Sequence, residues 1–195
     1  MKNGSMKWFN FTTRDIVIMA LMVGIAGLFQ VLWAHLVFQA QVLGPFVNLF
    51  GSFGFNLVSF LILFLIRKPG ACVIVKTLSG VIEVLFGSPV GLFAIFYNLV
   101  EGLAADIVFV WFKGNFSLNM IVAGSLLAWI FAAPVDAWRD AVPLTTEGLV
   151  GYFGPGGMGK VWISLWVYWA LLAVKKAGIK PLSEYPPKPP TVLET

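Results

Sequence analysis

Four ionisable residues, Lys76, Glu83, Glu101 and Asp106, interrupt otherwise apolar runs. A charge held in hydrocarbon is costly, so such residues face a bundle interior, a partner charge or a ligand. At about 1.5 Å of rise per helical residue, Lys76 and Asp106 lie about 8 and 9 Å from the inner ends of two successive antiparallel helices. Matched depth predicts an ion pair between Lys76 and Asp106, which is favoured over a transport role; Lys76 could instead snorkel to the inner surface. Glu83 and Glu101 lie deeper, at about 18 and 16 Å from the same side. No lysine or arginine within the spans matches their depth. Two carboxylates without a built-in cation suit a cationic ligand. Alternatively, they are neutral acids hydrogen-bonded to backbone or to Asn98.

Tyr97 and Asn98 precede Glu101 by four and three residues and share its face. Trp33, His35, Gln39 and Gln41 lie at the outer end of the first span, and Asn48 opens the second. Trp138, Tyr152, Trp162 and Trp166 come from the last outer loop and final span. Each tryptophan alone fits an interfacial belt. Aromatic faces beside a few directional polar groups also suit a flat, polar, cationic heterocycle. The substrate-binding set is therefore Glu83, Glu101, Asn98, Tyr97, Trp33, His35, Gln41, Asn48, Trp138 and Trp162. His35 has no second histidine beside it, and the one cysteine is Cys72, so no metal site is expected. Neither a GxxxxGK[ST] nor a GxGxxG motif occurs, and no nucleophile motif accompanies the serines, so no catalytic residue is expected. Ala20, Gly24 and Gly27 form a small-residue stripe that serves either internal packing or docking of a second membrane protein.

The elements that carry these residues follow from composition. Of the 195 residues, 59% are apolar and 11% charged, too few polar groups to cover a soluble domain. The pattern predicts an all-α integral membrane protein, a bundle of six transmembrane helices. The spans fall at 16–38, 46–66, 71–86, 90–112, 116–133 and 160–174, with the longest loop, polar, from 136 to 159. A cytoplasmic segment, 1–14, precedes the 15–176 substrate-binding domain, and a Pro-rich tail, 177–195, follows it. Six spans put both termini on one side, where Lys2, Lys7, Arg14, Arg67, Lys68, Lys113, Lys175, Lys176, Lys180 and Lys188 gather. Arg139 and Lys160 fall on the other. This asymmetry predicts cytoplasmic termini. The basic residues are dispersed, with no basic-aromatic stretch for nucleic acid.

Three runs carry a family resemblance. They are Arg67-Lys68-Pro69-Gly70-Ala71, the stretch from Glu83 through Gly87-Ser88-Pro89 to Leu92, and Tyr97-Asn98-Leu99-Val100-Glu101-Gly102. Together they resemble the YkoE family of substrate-binding S components of energy-coupling factor (ECF) vitamin transporters, associated with thiamine and its hydroxymethylpyrimidine precursor. The resemblance implies six helices in a prokaryotic plasma membrane and a pocket near the outer face containing Glu83 and Glu101. It also implies a lid in the linker after the first helix. The chain would be no enzyme: ATP hydrolysis would lie on two partner ATPase subunits, coupled through a transmembrane T subunit. The Ala20/Gly24 stripe is similar to the motif by which S components meet that T subunit. Thiamine, or its pyrimidine moiety, would be the transported ligand, with no cofactor acting as a catalyst. Capture of another small vitamin, or proton-coupled secondary transport through Glu83 or Glu101, are the alternatives.

Overall fold

The computed structural model describes residues 8–40, 51–139, 141 and 145–182; for residues 139, 147–149 and 151–153 it describes the backbone alone. These residues form six helices: α1 (Thr13–Gln39), α2 (Phe53–Ile66), α3 (Ala71–Leu85), α4 (Phe93–Trp111), α5 (Leu118–Arg139) and α6 (Thr146–Lys176). By length and apolar composition α1, α4, α5 and α6 can each cross a bilayer. The shorter α2 and α3, with 14 and 15 residues, would span only about 21 and 22 Å.

One end of the bundle is stitched shut by polar contacts. Thr12 caps α1: its hydroxyl accepts from the Asp15 amide at 3.3 Å, and its own amide donates to Asp15 Oδ2 at 2.8 Å. The same carboxylate oxygen takes Lys68 Nζ at 2.5 Å, tying α1 to the turn between α2 and α3. In that turn Arg67 is left-handed at φ 53° and Gly70 has φ 92°. A Cβ at Gly70 would meet the Phe9 ring at 2.7 Å, so both conformation and space require glycine there.

Two other glycines set the spacing of α3 and α4. A Cβ on Gly102 would meet Val73 Cα at 2.7 Å, and one on Gly80 would meet Ile95 Cα at 3.0 Å. Val73 opposite Gly102 and Gly80 opposite Ile95 make an antiparallel pair in backbone contact. Glu83 and Asn98, and Lys76 and Glu101, are thereby brought within bonding range of each other. The core beside them is apolar, with Phe60, Ile62, Leu63, Met120, Ile121, Ile163 and Val167 buried. Its polar thread runs from Asn56 through Ser125 to Ser164, linking α2, α5 and α6.

The fold departs from the expected spans in its last third. The stretch expected as a long loop is largely helical. α5 continues through Pro134 to Arg139, and α6 begins at Thr146 and runs through Gly154-Pro155-Gly156-Gly157. Close packing explains the tolerance. A Cβ on Gly156 would meet Trp129 Nε1 at 2.9 Å, so glycine there makes room for α5 rather than ending α6. The bundle exterior is apolar. Val17, Leu21, Ile25, Leu28, Leu32 and Leu36 form an exposed stripe along α1 at helical spacing, as expected of a lipid-facing surface. The Pro-rich tail from 183 and the linker at 41–50 lie outside the described residues.

Candidate functional site

Short α2 and short α3 leave a space at the end of the bundle opposite the stitched turn. Gly51 and Ser52, just before α2, and Pro89 and Val90, just after α3, border a cavity of about 240 Å³. Its polar lining is Ser52, Glu83, Tyr97, Asn98, Glu101, Asp136 and Lys160; Phe55 and Trp129 supply aromatic walls.

Glu83 is buried and held by neutral donors. Ser88 Oγ donates to its Oε1 at 3.0 Å and Asn98 Nδ2 to its Oε2 at 3.0 Å. Asn98 Nδ2 also donates to the Ala94 carbonyl at 2.8 Å, which fixes the orientation of the amide. Asn98 Oδ1 is then left buried and without a hydrogen-bond partner. An unmet buried acceptor is costly, roughly 1–3 kcal/mol. Tyr97 donates to Asp136 Oδ1 at 2.6 Å across the α4–α5 contact. Lys160 Nζ donates to Ser52 Oγ at 2.7 Å, joining α6 to the start of α2.

Glu101 is different, because it has a cation. Lys76 Nζ lies 2.9 Å from its Oε2, with the lysine side chain fully buried and Glu101 12% exposed. The same ammonium sits 5.3 Å from the centre of the Phe55 ring and 3.4 Å from the Phe55 carbonyl. The expected Lys76–Asp106 pair is therefore not formed. Asp106 Oδ2 instead accepts from the Val73 amide at 2.8 Å, in the first turn of α3. That turn has unsatisfied amides and a partial positive charge, which a carboxylate from α4 meets. Freed of Asp106, the flexible lysine stem reaches along α3 to Glu101. Matched depth rests on backbone positions, and the lysine stem is long enough to override it. The expectation that no cation reaches the Glu83–Glu101 level is corrected likewise, by both Lys76 and Lys160.

Of the other residues expected here, Tyr97 and Asn98 line the cavity, and four others do not. Trp33 donates to the Gly51 carbonyl at 2.8 Å and packs between Phe29 and Phe53, joining α1 to α2 behind the wall. His35 is exposed, with Nδ1 2.9 Å from the Val31 carbonyl in its own helix. Trp138 is 74% exposed and lies against Phe93. Trp162 points outward beside Trp166. All four fit interfacial or packing roles. Gln41 and Asn48 lie outside the described residues. The small-residue stripe divides: a Cβ on Gly27 would meet Ile82 at 2.7 Å, whereas Gly24 has open space and Ala20 is exposed.

Sequence reasoning missed Ser52, Phe55, Trp129, Asp136 and Lys160. A signal existed for three of them. Ala128, Ala132 and Asp136 recur every four residues on α5, with Trp129 beside them, and Gly156, Lys160 and Ser164 do so on α6. Reading 136–159 as a loop hid both faces. Gln30 was also missed. It is fully buried one turn from the lining residue Ala34, and neither of its amide atoms has a partner.

The sequence and the fold both have known counterparts. The family described as "ABC-type cobalt transport system, permease component" matches residues 14–131. The Bacillus subtilis (strain 168) protein YkoE, named as an HMP/thiamine permease protein, is 29% identical over 107 residues. Those residues are 51% of this chain and 51% of that protein, so the chain spans about half the length of the curated relative it matches. A crystal structure of an S-component of an ECF transporter superposes with a TM-score of 0.63 at 20% identity, covering 87% of this chain and 88% of the other.

Proposed function

The chain belongs to the family of ABC-type cobalt transport system permease components and has the S-component fold, and from that premise we propose that it captures thiamine, or the hydroxymethylpyrimidine part of thiamine, in the Glu83–Glu101 cavity. It is a multi-pass membrane protein with a YkoE-like sequence. In the proposed cycle a T subunit and two ATPase subunits supply the energy, the termini are cytoplasmic, and the cavity opens outward. The name of its curated relative supports the vitamin class.

The observation that carries the ligand reading is the Glu83–Asn98 pair. Glu83 is a buried carboxylate whose hydrogen bonds come from Ser88 and Asn98, neither of them charged, and Asn98 Oδ1 beside it is unfilled. An aminopyrimidine offers N–H donors to such acceptors, and a thiazolium offers the positive charge that Glu83 lacks. Phe55, Tyr97 and Trp129 line the cavity and supply aromatic surface for flat heterocycles. The family description mentions cobalt, but the donor set does not favour a metal ion as cargo. The cavity lining contains no histidine or cysteine, and an ammonium, Lys76 or Lys160, lies at two of its polar positions.

Mass spectrometry of small molecules that copurify with the protein tests the reading. Recovery of thiamine or its pyrimidine is the expected result. Recovery of an unrelated vitamin would keep the transport class and overturn the substrate.

A further inference from the structure

A second cavity, of about 170 Å³, lies at the stitched end of the bundle between the ends of α2 and α6. Phe64, Arg67, Lys175, Gly178, Ile179, Lys180 and Pro181 line it, so among the described residues three cations and no acid border it. It is formed by the way the chain leaves α6. Gly178, at φ 84°, reverses direction; its amide donates to the Lys175 carbonyl at 3.1 Å and the Ile179 amide to the Val174 carbonyl at 3.3 Å. The reversal lays Ile179, Lys180 and Pro181 over the end of α2. Arg67, in its left-handed cap position, has its Nε buried and without a hydrogen-bond partner. Among the described residues, no carboxylate pairs with Arg67, Lys175 or Lys180.

We propose that this cavity binds the phosphate of an anionic lipid headgroup. Three observations converge on that chemistry. A buried guanidinium N–H without a partner, on a residue lining a cavity whose charged lining residues among those described are all cations, calls for an oxyanion, and guanidinium matches phosphate in geometry. The site lies where the α6 span ends at Lys176, the level of headgroups in a bilayer. Phe64, Ile179 and Pro181 add an apolar wall that a lipid's glycerol and upper chain can cover and a free phosphate cannot. The inference is independent of the vitamin reading, since it uses neither the large cavity nor its ligand.

Native mass spectrometry of the full chain from nanodiscs of mixed phosphatidylglycerol and phosphatidylcholine tests it. Wild type should retain phosphatidylglycerol preferentially. Each cation near an anionic surface contributes roughly fivefold. Arg67→Gln with Lys180→Gln should therefore reduce that preference by about twentyfold. A charge-matched control, Lys113→Gln with Lys176→Gln, removes cations outside the cavity and should keep the preference. Lys175→Gln with Lys180→Gln, both at exposed positions, gives the same reading if the Arg67 variant fails to fold. Equal loss in the control would overturn the site in favour of diffuse surface charge. Complete displacement of the lipid by millimolar inorganic phosphate would overturn the headgroup as the source of the anion.

Discussion

The two ends of the α3–α4 pair each bury carboxylates, and they use them differently. At the stitched end Asp106 accepts from an amide in the first turn of α3 and lies outside the lining of both cavities described above. At the open end Glu83 and Glu101 line a cavity of about 240 Å³, beside the unfilled Asn98 Oδ1. Burial alone therefore does not mark a ligand site. Nor does unused hydrogen-bonding capacity, since Asp106 Oδ1 is also buried without a partner; space next to the buried charge does. Glu101 lies between the two cases, since it faces the cavity but is already neutralised by Lys76.

Breaking the Lys76–Glu101 pair should have the largest effect. Glu101→Gln leaves Lys76 buried and uncompensated, and removing one partner of such a pair costs about 3–5 kcal/mol. Thermal unfolding in detergent should show this loss, and adding Lys76→Gln should restore much of it. If the single variant is as stable as wild type, the pair is solvated and the comparison fails at this residue. Glu83→Gln should leave folding nearly intact, because its partners Ser88 and Asn98 are neutral and can bond an amide. Loss of a charge-assisted bond costs about 1.5–3 kcal/mol, so thiamine affinity should fall roughly tenfold to a hundredfold.

Asp106→Asn should lower stability by only about 1 kcal/mol, since a carbonyl still accepts from Val73, and thiamine affinity should not change. A loss of affinity there would join the two ends functionally and blunt the contrast between them. Gly24→Leu should have the smallest effect on the ligand, because that position is open on the outside of α1. On the proposed T-subunit reading it should weaken assembly while leaving the Kd for thiamine nearly unchanged. An intact complex with the leucine in place would assign Gly24 to the lipid face.

How much was legible in the sequence differs between these regions for physical reasons. The end of α2, both ends of α3 and the approximate start of α4 could be read from apolar runs bounded by Arg67-Lys68-Pro69-Gly70 and Gly87-Ser88-Pro89, since charges and breakers together stop a helix there. The same breakers misled in the last third. Pro134 and Pro155 lie inside helices that continue past them, and sequence carries no sign that Trp129 of α5 fills the space beside Gly156 and Gly157. Glu83, Asn98, Tyr97 and Glu101 could be found because ionisable and polar groups stand out in apolar helices. The partner of Lys76 could not, because it depends on rotation about the helix axis and on the reach of a flexible stem. The tryptophans and His35 were placed at about the right end but on the wrong faces.

The unfilled Glu83–Asn98 corner is the proposed seat of a thiamine-like cation. Calorimetric titration of wild type and Glu83→Gln with thiamine and with the free pyrimidine tests it most directly. Wild type should bind both, and Glu83→Gln should lose roughly tenfold to a hundredfold for thiamine and less for the uncharged pyrimidine. Equal losses would move Glu83 to the pyrimidine end of the ligand. Binding of thiamine unchanged by Glu83→Gln would contradict the claim.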